Sequence, residues 1–149
     1  MPTVDIDDTF EQYYEADYFG EPWLDGEPVI FVHGFAESSL ALNQWVPDVA
    51  SEFRVYRPDL RGFGRSTFWD DDYDWSFANY AADLEAFMDA LEIESAHVVA
   101  AKIGVAISYA FAGANSDRIR SLTAVSGPAS SRDTGGSADI TTIPEAIRD

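Results

Sequence analysis

Four short apolar runs punctuate this chain, and their order restricts the fold more than any other feature. PVIFVHG (28–34) is rich in β-branched residues and closed by glycine. RVYRPDLRGFGRS (54–66) opens on a strand-like run stopped by Pro58, AHVVAA (96–101) is the third, and SLTAVSG (121–127) the fourth. Apolar runs that are continuous rather than alternating are the pattern of strands buried on both faces. Helical stretches lie between them. In SFANYAADLEAFMDALEI, residues Phe77, Tyr80, Ala81, Leu84, Phe87, Met88 and Leu91 recur at spacings of three and four and form one apolar face. Leu42, Trp45, Val46, Val49, Ala50 and Phe53 keep the same spacing, with Pro47 breaking or beginning a helix there. GVAISYAFAG, after the third run, is a helix of mostly small residues suited to close packing on a sheet. Strands alternating with helices predict an α/β fold, a mostly parallel sheet flanked by helices and joined by right-handed crossovers.

The ends of the chain are less regular. FEQYYEADYF reads as a strand or hairpin, with Tyr13, Tyr14, Tyr18 and Phe19 expected on the sheet edge. PASSRDTGGSADITTIPEAIRD loses all periodicity and reads as a loop leaving the sheet. The expected division is therefore a core over 1–127 and a loop over 128–149. The acidic run WDDDYDW (69–75) is most simply a solvated loop whose carboxylates favour the N-terminus of the following helix, and it lacks the spacing of a calcium loop. A chain of 149 residues suffices for one domain, burying roughly 68–70% of its unfolded surface.

Charge narrows the partners. With 27 acidic and 9 basic residues the formal net charge is -18, which argues against nucleic acid and anionic membrane as partners. Eight of the nine basic residues are arginine. A surface of Asp and Glu repels itself until salt screens it, and a high-salt habitat is one expectation that follows, with compositional drift as the alternative. The absence of cysteine fits a reducing compartment. No basic segment followed by an apolar run opens the chain, and no stretch approaches the ~18 apolar residues of a membrane span. A soluble cytoplasmic protein is expected. No dinucleotide fingerprint is present, since GFG in RGFGRS lacks the third glycine and the acidic partner, and no cofactor or catalytic metal is implied.

Taken in order, these motifs resemble the α/β-hydrolase family. VIFVHGF is similar to its strand and oxyanion loop, SSLALNQW to the segment after it, RVYRPDLRGFGRS to its fourth-strand motif, and NSDRIRSLTAVSGPA to its approach to the sixth strand. HVVAAKIGVA falls where the nucleophile elbow belongs. The resemblance runs from about Tyr13 to about Ala129. It implies the N-terminal part of that fold, strands one to six, without the later strands, and 128–149 entering a truncated cap segment. A partner or a missing C-terminal segment is then expected to cover the sixth strand, since an apolar sheet edge invites pairing.

The elbow motif GxSxG corresponds here to Ala100, Ala101, Lys102, Ile103 and Gly104. Lys102, the only lysine, stands in the nucleophile's position, and Gly104 keeps close helix–strand contact possible. By the resemblance, the oxyanion donors are the backbone N–H groups of Phe35 and Ile103, with His33 and Gly34 shaping the oxyanion loop. His33 and His97 are the only histidines, both expected to be structural, and none follows residue 97, where the family places its triad base. The resemblance implies a hydrolase of small esters or lactones, similar to esterase and 3-oxoadipate enol-lactonase branches, acting on a small carbonyl or ester compound.

Lys102 leaves three alternatives open. It can replace serine as a base or as an amine that forms a Schiff base. The chain can be catalytically silent and bind a ligand. Or the elbow has relaxed and the lysine stem packs while its amine reaches water. A lysine in a water-poor cleft is costly as an ammonium and requires a carboxylate partner or water, and whether a missing C-terminal part supplies Lys102 with a carboxylate and a histidine is the open question. Trp23, Trp45, Phe35 and Phe63 are candidates to line an apolar cleft, though aromatic residues at such positions more often belong to the core.

Overall fold

The structure, a computed structural model, describes residues 2–66 and 72–127. The loop expected over 128–149 and the first part of the acidic run, 69–71, lie outside the described residues. Six strands form one sheet in the order β1-β2-β4-β3-β5-β6. They are β1 (Thr3–Asp7), β2 (Phe10–Asp17), β3 (Glu27–Val32), β4 (Phe53–Pro58), β5 (Ala96–Ala101) and β6 (Ile119–Val125). The four apolar runs predicted from sequence are the parallel strands: β4, β3, β5 and β6 pair side by side. The irregular N-terminal segment forms β1 and β2, a hairpin whose second strand joins β4 antiparallel.

Both faces of the central strands are buried, as continuous apolar runs require. On β3, Ile30 and Val32 pack with Val98, Ala100 and the inner faces of two helices, α2 (Phe77–Ala90) and α3 (Ile103–Ala114). Val29 and Phe31 point the other way, onto Leu42, Val46, Ala50 and Val55. Ser76 starts α2, its hydroxyl accepting the Asn79 N–H at 3.2 Å, and Tyr80, Ala81, Leu84, Phe87 and Met88 form the buried stripe.

Two local expectations change. The 42–53 periodicity does not make one helix. Ser39–Trp45 is a 3-10 helix, Val46–Val49 is a single α-turn (α1) with Pro47 in its first turn, and Phe53 already belongs to β4. Proline has no N–H to continue an incoming helix, so Pro47 begins the α-turn instead. Phe19 does not pack on the sheet edge: it is 60% exposed, while Tyr13 is buried. No helix among the described residues is long and apolar enough to cross a membrane.

The hairpin is locked to the rest by a buried cation. Arg61 donates to both carboxylate oxygens of Asp83 on α2, at 2.7 and 2.8 Å, and to Asp7 on β1 at 2.7 Å. Its guanidinium also lies 4.0 Å from the Phe10 ring centre and 4.6 Å from that of Tyr73. An arginine can be fully buried here because its planar fork finds a bidentate partner and aromatic faces together.

Candidate functional site

The site forms at the C-terminal ends of the parallel strands, where β3 and β5 turn into loop and helix. At the end of β5 the chain reverses in one residue. Lys102 has φ 54° and ψ -120°, and α3 starts at Ile103. L-residues adopt this conformation only under constraint. Two constraints are visible. The Lys102 N–H donates to the Val125 carbonyl at 3.0 Å, fastening the turn to β6. Gly104 faces β3 so closely that a Cβ there would stand 2.5 Å from the Val32 oxygen and 2.7 Å from the His33 oxygen. Only glycine permits this approach. Ala100 and Ala101, in the positions before Lys102, are buried in the sheet.

The Lys102 side chain does not enter a water-poor cleft. It is 59% exposed and lies back over Gly34, where an added Cβ would meet its Cδ at 2.8 Å and its Cβ at 3.1 Å. Its Nζ is ion-paired with Oε1 of Glu37, and Oε2 of the same carboxylate accepts the Gly34 N–H at 2.8 Å. The carboxylate therefore comes from the loop after β3, within this chain, and not from a segment beyond it. The Lys102 hydrogen bond holds the Glu37 carboxyl below its ordinary range, more than partial burial raises it, and the Gly34 N–H acts in the same direction.

Ala36, at φ 56°, turns the loop so that Glu37 reaches back to Gly34. That reach, from a backbone N–H to a carboxylate three residues on, has the form of half a capping box. The sequence HGFAES carries this spacing, which is the signal by which Glu37 was findable.

His33 is buried, with both ring nitrogens engaged. Nε2 accepts the Leu60 N–H at 2.9 Å, so the proton sits on Nδ1, 2.7 Å from the Gly34 oxygen. Burial pushes its pKa down, against the smaller opposing effects of the Gly34 carbonyl, Asp59 and Glu37. The ring thus ties the loop after β3 to the loop after β4. His97 lies away from the elbow, at the start of β5, bonded to Ser121 and Glu27.

Asp59, which the sequence reading passed over inside RVYRPDLRGFGRS, organises that second loop. It is buried, and its carboxylate accepts the N–H groups of Ser39 and, at 2.7 Å, Arg65. Gly64, at φ 56°, leaves room for it: a Cβ there would stand 2.1 Å from Asp59 Oδ2.

Beside the elbow lies an apolar cleft of about 360 Å³. Phe35, Phe63, Phe77, Tyr80, Ile103 and Ile107 line it, with Trp75 at one side. Phe35 and Phe63 meet edge to face with ring centres 5.4 Å apart. Of the four aromatic residues proposed for a cleft, these two are in it. Trp23 is 77% exposed elsewhere, and Trp45 packs against Phe31 on the opposite face of the sheet. Phe35 and Ile103, whose N–H groups are the expected oxyanion donors, both border the cleft. The first N–H groups of a helix lack partners within it, and Ile103 is the first residue of α3. Lys102 is not among the lining residues. Among the described residues no cluster of three or more His, Asp or Glu side chains could hold a metal ion.

A strand–turn–helix elbow, a glycine-tipped loop beside it and a cleft at the sheet's C-terminal edge define an α/β hydrolase architecture. The chain belongs to the alpha/beta hydrolase fold family, which matches residues 27–139. It is 39% identical over 108 residues to the probable oxidoreductase EphD of Mycobacterium tuberculosis, covering 70% of this chain and 18% of that protein. It is 34% identical over 102 residues to a haloalkane dehalogenase of Mesorhizobium japonicum, covering 68% and 32%. Among solved structures, a reconstructed ancestral haloalkane dehalogenase superposes with TM-score 0.73 at 32% identity, over 85% of this chain and 42% of that one. A thermophilic esterase of Thermogutta terrifontis gives TM-score 0.74 at 26% identity, over 87% and 46%. The chain thus spans about a fifth to a third of the length of these curated relatives.

Proposed function

We propose that this chain, with lysine in place of serine at the elbow, is an α/β hydrolase homologue that binds, rather than hydrolyses, a small and largely apolar compound bearing a carbonyl group. One observation carries this reading: the side chain in the nucleophile's position is ion-paired to Glu37 and folded over Gly34, outside the cleft that would hold a substrate. An ammonium so held has no lone pair to attack a carbonyl, and the one histidine close by, His33, has both nitrogens committed. The cleft and its bordering N–H groups do not depend on the missing serine. Names among the relatives and structural neighbours include a haloalkane dehalogenase, an epoxide hydrolase and an N-acyl homoserine lactone degrading enzyme. These names speak of a haloalkane, an epoxide and a lactone, and an aromatic-lined cleft of about 360 Å³ suits a small, largely apolar molecule. Descent from an ester- or lactone-hydrolysing ancestor fits the same features.

The test pairs turnover with binding. The chain should leave 4-nitrophenyl butyrate at the buffer rate of hydrolysis while binding hexanamide in a calorimetric titration. Ester turnover that disappears in Lys102→Met would overturn the reading in favour of an enzyme. A borohydride-trapped carbonyl adduct mapped to Lys102 would overturn it in favour of imine chemistry.

A further inference from the structure

Glu37 does to this site what a ligand would do. One carboxylate oxygen takes the Lys102 ammonium and the other takes the Gly34 N–H, so a single carboxylate bridges the elbow and the oxyanion loop. The residues that follow these two donors in the chain, Ile103 and Phe35, form part of the wall of the apolar cleft. We propose that the ammonium and amide form a carboxylate-binding subsite occupied by Glu37 as a tethered competitor. The ligand that displaces it is a small aliphatic carboxylate whose tail fills the cleft. This deepens the binding role proposed above and rests on it.

Three features favour a carboxylate over a neutral carbonyl at this position. The geometry is already satisfied by a carboxylate, with both oxygens used, one by a charged donor and one by a backbone N–H. Lys102 is the only lysine of the sequence, and the next residue, Ile103, lines the cleft. Glu37 is partly solvated rather than locked in the core, with a side chain 22% exposed, so it can rotate away when another anion takes its partners. The net charge of -18 opposes any anion at long range. Screening confines that field to about 10 Å at 0.1 M salt, and within that distance the lysine decides.

The test uses hexanoate and its neutral counterpart hexanamide at constant ionic strength. Glu37→Gln keeps an acceptor for the Gly34 N–H but removes the charge that competes for Lys102. It should tighten hexanoate binding roughly three- to tenfold and leave hexanamide within a factor of about two. Lys102→Met should abolish hexanoate binding in either background and spare hexanamide. A measurement on the unaltered chain stands beside the variants. Because the sequence has a single lysine, lysine labelled with carbon-13 at Cε alone gives one resonance, which hexanoate should shift and hexanamide should not. Hexanoate affinity unchanged by Glu37→Gln, or a lysine resonance unmoved at hexanoate saturation, overturns this inference while hexanamide binding keeps the cleft reading intact. Failure of hexanamide to bind sinks the cleft reading itself.

Discussion

The conformation of Lys102 yields a stability comparison between two variants at one position. At φ 54° and ψ -120° a side chain bearing Cβ is strained, whereas glycine is at home. Consider Lys102→Ala and Lys102→Gly side by side. Both delete the Glu37 ion pair, so that contribution, about 0.2–1 kcal/mol for an exposed pair, cancels from the difference. Glycine relieves a backbone strain of about 1–3 kcal/mol. Against this stand its extra unfolded-state freedom, about 0.5–1 kcal/mol, and the loss of one half-solvated carbon, at most about 0.8 kcal/mol. Central values, about 2 kcal/mol of relief against about 1.2 kcal/mol of opposing effects, leave the glycine variant the more stable by about 0.8 kcal/mol. At a relaxed position the order reverses, alanine leading by about 0.5–1 kcal/mol. Urea unfolding of both variants in the same buffer measures the difference, and a thermal midpoint higher by about 2–4 °C for glycine would accompany it. Alanine more stable than glycine by more than about 0.8 kcal/mol, the most that a strained turn allows, would mean that AAKIG no longer makes the sharp turn, and the account of the elbow would be refuted.

Other expectations follow from the same geometry. Gly104→Ala places a carbon 2.5 Å from the Val32 oxygen, backbone that cannot move aside, and should cost about 1–3 kcal/mol in chemical denaturation. Arg61→Met leaves the Asp83 carboxylate buried without its bidentate partner and should cost about 3–5 kcal/mol at neutral pH, with hydrogen exchange in β1 and β2 accelerated first. His33 has a folded-state pKa below its ordinary value of 6.5, so below about that pH the unfolded chain takes up a proton that the folded ring refuses. Stability should fall as pH drops below 6.5, and His33→Gln should flatten that part of the profile. If the acidic surface is an adaptation to salt, the urea midpoint should rise between low and molar potassium chloride, and equal midpoints would remove that idea.

The fold was legible in the sequence because its central strands are buried on both sides. Val29 to Val32 are buried throughout, and in Val98 to Ala101 only Val99 is partly exposed, so their apolar runs are unbroken and the β-α alternation stands out. Phe77 to Leu91 was legible for the complementary reason, one wet face and one dry. The 3-10 helix at Ser39–Trp45 was not, since its period of three is close to the α-helical spacing and Pro47 fits either reading. Trp45 and Phe35 show the limit of composition: both are aromatic residues beside loops, yet one packs under the sheet and the other lines the cleft. Which occurs depends on backbone direction at Gly34 and Ala36, and no periodicity reports that.

The site divides in the same way. Its frame was readable because glycine at residue 104 and the HG pair at residues 33 and 34 are steric requirements that leave few substitutes. Its chemistry was not, because the partner of Lys102 is fixed by two backbone reversals, at Ala36 and at Lys102, that bring residues 65 positions apart into one ion pair. The elbow's shape has a different origin from that pairing. The turn's constraints are the Val125 carbonyl, the Val32 and His33 carbonyls facing Gly104, and the His33 ring bridging to Leu60, none of which involves the side chain at residue 102. Geometry and chemistry at this elbow are therefore held by separate groups of atoms. A lysine can enter at the tip without loosening the turn, provided a carboxylate stands near enough to receive its charge, and Glu37 does.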